Sequence, residues 1–282
     1  MRLVLSLSRR TDPAWYTDHF LSLLATRYPP ARVHTLVIWT KLPHVFLQRR
    51  WRSALRAYDQ VYFHVTVTGL GGTDLEPGVP PPEVVWKELP ALVELAGHPS
   101  RVRLRPDPLV KVARRGAVIT NVDTAQAIVR AGAGIGLSHF STSFMAHYPR
   151  VVRRLRRAGY EPLDFGPDER GEAVARLRAA AGPGAKVDLC CVPGFPVSRC
   201  IDGGLLAELH PRGEKCRSDK AAGQREHCGC THSLDLGWYG LSCPSGCLYC
   251  YANPRGCGTP ALRSLRGVAP ARTGRQEAGA EP

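Results

Sequence analysis

Residues 3–13 read LVLSLSRRTDP, a short apolar run followed at once by a polar and charged cluster, and this stretch decides the class of fold. Five residues rich in Leu and Val suit a strand buried in a parallel sheet. No GxGxxG follows them, which argues against a dinucleotide-binding unit of the Rossmann kind. A polar cluster directly after a strand instead matches the end of the sheet where barrel enzymes keep their active groups.

The same succession repeats along the chain. Strands are predicted over 3–7, 35–39, 61–68, 102–105, 134–140 and 186–190, with helices over 14–27, 45–58, 83–97 (broken near Pro90), 124–131, 144–158 and 169–181. Asp123 and Pro43 read as helix start signals. The alternation predicts an α/β domain over residues 1–190, a TIM-like (β/α) barrel, partial or full, of about six or more parallel strands. Arg9, Arg10 and Asp12 then fall after the first strand, Lys41 after the second, and Arg105 and Asp107 after the fourth. These six are the candidate catalytic residues, because the planar Arg fork suits an anionic substrate or a cofactor carboxylate. The competing reading makes Asp12 a helix cap and pairs the arginines with neighbouring carboxylates. His64 and His139 lie within strands and read as core histidines.

Composition bounds the function less tightly. With 44% hydrophobic and 22% charged residues, the 282-residue chain is neither disordered nor collagen-like. The net charge of +14 resembles a nucleic-acid signature, yet only six of the 38 basic residues are Lys and the arginines are scattered. Arg150, Arg153, Arg154 and Arg157 share one helical face, which reads first as a solvated outer surface and second as a nucleic-acid contact.

The ten cysteines are confined to residues 190–257. The N-terminal stretch has no apolar signal region, and no run approaches the ~20 apolar residues of a membrane span. A cytoplasmic protein is expected, with cysteines serving metal or catalysis more than disulfides. Residues 191–258 are rich in Gly, Pro and Cys without periodicity, so they read as an irregular metal module packed on the barrel mouth. Residues 259–282 read as a disordered tail.

Within that module, Cys243-Pro-Ser-Gly-Cys247-Leu-Tyr-Cys250 carries the most specific spacing. Three thiolates on a compact loop can hold three irons of a [4Fe–4S] cube and leave the fourth open to a chelating molecule. CxxxCxxC is the signature of radical S-adenosylmethionine enzymes, in which the cofactor's amino and carboxylate groups chelate that iron. Gly246 lets the loop turn, and Tyr249 precedes the third cysteine as an aromatic residue does in that pattern. Zinc and bare thiols remain alternatives, although structural zinc sites prefer C-x2-C pairs. A second group, Cys190 or Cys191 with Cys200, Cys228 and Cys230, could close a second iron–sulfur or zinc site. Cys216 and Cys257 have no assigned role.

The strings Ser8-Arg9-Arg10-Thr11-Asp12, Ile38-Trp39-Thr40-Lys41, Asp74-Leu75-Glu76-Pro77, Arg105 with Asp107-Pro108, Cys200-Ile-Asp202, Cys228-Gly-Cys230 and Cys243 to Asn253 together resemble the bacterial family called domain of unknown function 1848. Its C-terminal cysteines are noted as similar to those of radical S-adenosylmethionine enzymes. The resemblance implies an iron–sulfur enzyme that cleaves S-adenosylmethionine reductively, acts on an unknown substrate, and is fed by a reductant such as ferredoxin or flavodoxin. In ordinary radical enzymes the cysteine loop follows the first strand, whereas here it follows all six. Gly71-Gly72-Thr73-Asp74 is loosely similar to their Gly-Gly-Glu segment, which makes Gly72 and Asp74 candidate cofactor contacts. The alternative is a non-catalytic protein, stabilised by zinc or a cluster, that binds nucleic acid or transfers electrons.

Overall fold

A computed structural model describes residues 1–237 and 240–255. Its strands are β1 Leu3–Leu7, β2 Val33–Thr40, β3 Val61–Thr66, β4 Val102–Arg105, β5 Lys111–Arg114, β6 Ala117–Thr120, β7 His139–Thr142, β8 Glu161–Pro162, β9 Lys186–Leu189 and β10 Leu234–Asp235. Seven form one sheet in the order β10-β1-β2-β3-β4-β7-β9. Every pairing in it is parallel. Apart from β10, the strands follow chain order, so each neighbour is added on the same side, as in a barrel. A doubly wound sheet would reverse its order at a switch point. Closure is not reached: β9 and β10 are the two edges, so the full barrel allowed by the sequence is corrected to an open parallel sheet.

The helices are α1 Thr17–Arg27, α2 Pro43–Phe46, α3 Arg49–Leu55, α4 Pro82–Trp86, α5 Leu89–Ala96, α6 Val122–Gly134, α7 Pro149–Arg157, α8 Pro167–Ala181 and α9 Gly203–Glu208. The helix expected over 45–58 is two, α2 and α3, and that over 83–97 breaks just before Pro90 into α4 and α5. Pro90 serves at the start of α5, where its missing N–H costs nothing. The strand expected over 134–140 begins only at His139, because α6 runs to Gly134 and Gly136, at φ 84°, turns the chain first. A small antiparallel sheet, β6-β5-β8, was not foreseen. The expected tail and Cys257 lie outside the described residues. Among the described residues no helix is long and apolar enough to cross a membrane.

Alternate residues of the parallel strands face two different layers, as the two-residue period requires. Leu5, Leu7, Leu36, Ile38, Phe63, Val65 and Leu104 pack against the helices in one large core with Phe20, Phe46, Trp51 and Leu92. Each such side chain contributes about 1.5–3 kcal/mol when fully buried. Val4, Val37, Trp39 and Tyr62 point the other way, against Cys200, Ile201, Leu206, Cys216, Cys228 and Cys230. Ser6, Thr35, His64 and Arg103 are buried on that same inner side. The inner face is therefore polar, and the irregular C-terminal segment covers it.

Candidate functional site

The cysteine loop lies on the ends of the first three strands, held mainly by backbone hydrogen bonds. Thr11 donates to the Leu241 carbonyl at 3.3 Å, Tyr16 to that of Ser242 at 2.5 Å, and the Trp15 indole to the Ser245 hydroxyl at 2.9 Å. From the segment after β3, the Gly78 N–H donates to Ser245 at 3.1 Å and the Leu75 carbonyl accepts from Leu248 at 2.9 Å. A Cβ on Gly78 would stand 2.6 Å from the Pro244 carbonyl oxygen, so only glycine lets the two backbones approach this closely. Gly246 takes φ 65°, the left-handed turn expected between Cys243 and Cys247.

Each sulfur sits among donors. The Cys243 sulfur accepts from the backbone N–H of Asp12 and of Ser245. That of Cys250 accepts from the Ala252 N–H at 3.3 Å. Burial pushes all three thiols up, Cys247 furthest, while the Lys41 ammonium works against this at Cys247 and Cys250. Among the described residues, no group of three or more His, Cys, Asp or Glu closes around one point as ligands of a single ion do.

Lys41 is the cation of this corner. Its Nζ lies 2.5 Å from Glu76 Oε1 and donates to the Tyr249 hydroxyl at 3.1 Å, and Thr68 donates to the other Glu76 oxygen at 2.7 Å. Burial disfavours the ammonium, but Glu76 and the Cys247 sulfur outweigh it and raise the Lys41 pKa. Tyr249 thus reaches Lys41. Glu76, which sequence reasoning left among strand-end loop residues, is the buried carboxylate beside the loop. Asp74 instead pairs with Arg114 at 2.9 Å on the exposed side, and Gly72 is exposed at φ 80°. A better guide would have been burial: Glu76 sits between Leu75 and Val79, an apolar stretch able to enclose it.

Asp12 joins the cap role and the site role that the sequence set against each other. Its carboxylate accepts from Ala14 N at 3.1 Å as a cap, from Thr40 at 3.0 Å, and from Lys41 N at 2.6 Å. Burial outweighs these bonds and brings its pKa up to about 6. It therefore ties β1 to β2 directly beneath Cys243.

The other candidates separate. Arg10 turns away, donating to Gly237 at 2.9 Å beside Asp235 of β10, which is the structural reading. Arg9 and Arg105 both lie over Trp39, at 5.8 and 4.7 Å from the ring, and Trp39 stacks on neutral His64 at 3.8 Å. Burial and the charges of Arg103 and Arg105 hold His64 well below its usual pKa. Arg105 is spent on Asp107 at 2.6 Å. Arg9 donates to Ser233 at 3.0 Å, but its Nε is buried without a partner among the described residues.

Arg154 corrects the reading of the basic helical face. Rather than pointing only to solvent, it donates from α7 to the carbonyls of Leu248 and Cys250, both at 2.8 Å, and anchors the third cysteine. Nothing in the run of arginines marked this one, because the partner carbonyls lie almost a hundred residues away.

The second cysteine group also assembles. The sulfur of Cys190 is within hydrogen-bond reach of those of Cys191 and Cys200, Cys200 of Cys230, and Cys228 of both Cys230 and Cys191. Cys216 stands apart, its thiol donating to the Gly203 carbonyl at 3.3 Å.

Neither a curated protein nor a solved structure matches the chain. The model of the family described as Domain of unknown function (DUF1848) matches residues 4–252, and the chain belongs to that family.

Proposed function

We propose that Cys243, Cys247 and Cys250 hold three irons of a [4Fe–4S] cluster, and that the protein is a cytoplasmic radical S-adenosylmethionine-like enzyme. The carrying observation is that a CxxxCxxC loop, late in the chain, lies on the strand ends where Asp12 and Lys41 emerge. The donor set suits such a group: soft thiols, backbone N–H donors already aimed at two of the sulfurs, and a lysine that favours their charged form. Bound there, the reduced cluster would supply the electron that cleaves S-adenosylmethionine to methionine and a 5′-deoxyadenosyl radical, which takes a hydrogen atom from the substrate. A carrier such as ferredoxin or flavodoxin would deliver that electron.

The chain's own part is placement. Gly78, Trp15 and Arg154 fix the loop from three sides. Lys41 holds positive charge against the sulfurs, and Glu76 keeps that charge in place. Arg9 has an unspent buried donor beside Trp39, suited to a carboxylate of the cofactor or of the substrate.

Anaerobic reconstitution with iron and sulfide tests the reading. The expected result is a charge-transfer absorbance near ~400 nm that Cys247→Ser removes, and release of 5′-deoxyadenosine on adding dithionite and S-adenosylmethionine. Zinc alone on these three cysteines, or a cluster that leaves S-adenosylmethionine intact, overturns it.

A further inference from the structure

The sheet is open between β9 and β10, and the second set of cysteines belongs to the chain leaving one of these edges and entering the other. Cys190 and Cys191 follow β9 directly, while Cys228 and Cys230 lie on the segment that leads into β10. Cys200 lies between them in sequence, its carbonyl accepting from His64 of β3 at 2.9 Å. The sulfur contacts run 190 to 191, 191 to 228, 228 to 230, 230 to 200 and 200 back to 190, a closed ring of five free thiols.

Three features of the ring go beyond packing of small apolar side chains. Cys191 holds φ 54°, one of two non-glycine residues at positive φ among the described residues, and that strained turn lets two consecutive cysteines reach the same ring. Arg105 lies in electrostatic reach of Cys190 and Cys200, Arg225 of Cys190 and Cys191, and Arg9 of Cys230, so the ring is surrounded by cations. The sulfurs of Cys230 and Cys228 also accept backbone N–H bonds, from Ile201 and Cys230. Cations and amide donors around sulfur favour thiolate, which is the metal-binding form.

We propose that four of these five cysteines bind a second metal centre, closed by protein thiolates alone, which clasps the open edge of the sheet where no strand pairing does so. Thiolate ligation of this kind is common to zinc and to a fully ligated iron–sulfur cluster. The proposal does not rest on the first site being a cluster. Metal at the seam would join the segment after β9 to the segment before β10, and removing it would loosen the module over the inner face.

The test uses the full chain with Cys243, Cys247 and Cys250 all replaced by Ser, purified anaerobically and analysed for zinc, iron and acid-labile sulfide. One zinc per chain, or iron with matching sulfide, supports the proposal and names the occupant. Adding Cys200→Ser and Cys230→Ser should remove that metal, whereas Cys216→Ser should leave it. Cobalt(II) titration of the metal-stripped triple variant gives a readout independent of refolding after mutation, with sulfur-to-cobalt charge-transfer bands expected at one equivalent. A folded triple variant that holds no metal and gives no such band overturns the proposal, as does recovery of these cysteines as disulfides. Failure of the first site would appear differently, as loss of 5′-deoxyadenosine release with the seam metal retained.

Discussion

Phe63 and His64 are neighbours on one strand, fully buried, and they face opposite worlds. Phe63 packs into the helix-covered core beside Phe46, at 6.0 Å between rings. His64 lies under the cysteine module, stacked on Trp39 and bonded to the Cys200 carbonyl. The difference repeats along the sheet: one face is built from apolar area, which needs no partner beyond close packing, and the other from polar groups that must each be satisfied. The first face supplies stability whatever the metal state. The second supplies geometry, and its apolar share is half cysteine.

Phe63→Ala should therefore have the largest effect on stability, about 3–5 kcal/mol, because the rigid core leaves a cavity. Urea unfolding with and without chelator should show the same loss in both conditions. A loss that appears only in metal-loaded protein would break the distinction between the faces. Glu76→Gln comes next, at about 3 kcal/mol, since it leaves the buried Lys41 ammonium short of its counter-charge. Adding Lys41→Met should return part of that stability but lower iron retention at Cys247, measured by reconstitution. His64→Ala should cost less, about 1–3 kcal/mol, by freeing the buried Cys200 carbonyl. Its effect should be greater with metal present than after stripping.

The two faces also differ in how far the sequence announces them. The helix-covered face was legible, since Val- and Leu-rich runs between helix-period segments lead to β1, β4 and the parallel class, and polar strand ends lead to Asp12, Lys41 and Arg105. Whether the sheet closes was not legible, because closure depends on a two-residue strand, β10, too short to carry a period. The trio of cysteines was visible from spacing alone. Its supports were not: Glu76, Gly78 and Arg154 act through contacts of long sequence separation with residues 41 and 244–250, and a lone Glu in a loop or an Arg among arginines has no local mark. Cys191 was left as an alternative to Cys190 because consecutive residues ordinarily diverge, and only the positive φ brings both sulfurs to one ring.

Glu88 tests the apolar side at its weakest point. It sits just before α5, with its Oε2 buried without a hydrogen bond and 3.8 Å from His44 Nδ1. Burial raises the Glu88 pKa from 4.5 to about 7, and burial also lowers that of His44, so the imidazole does not supply a counter-charge near neutrality. A carboxyl whose pKa is higher folded than unfolded binds more protons in the native state between those two values, so stability falls as pH rises from 4.5 to about 7. Glu88→Gln removes this penalty while keeping the shape. Thermal melts should show no gain near the unfolded pKa and a gain of about 1 kcal/mol above about pH 7, a figure kept small because water reaches part of the carboxyl. The gain should be the same in the variant lacking Cys243, Cys247 and Cys250, because nothing on the helix side takes part in holding the cysteines. A pH-dependent gain that vanished with those cysteines would show that the two faces are coupled through the sheet, and the separation of stability from site geometry would then fail.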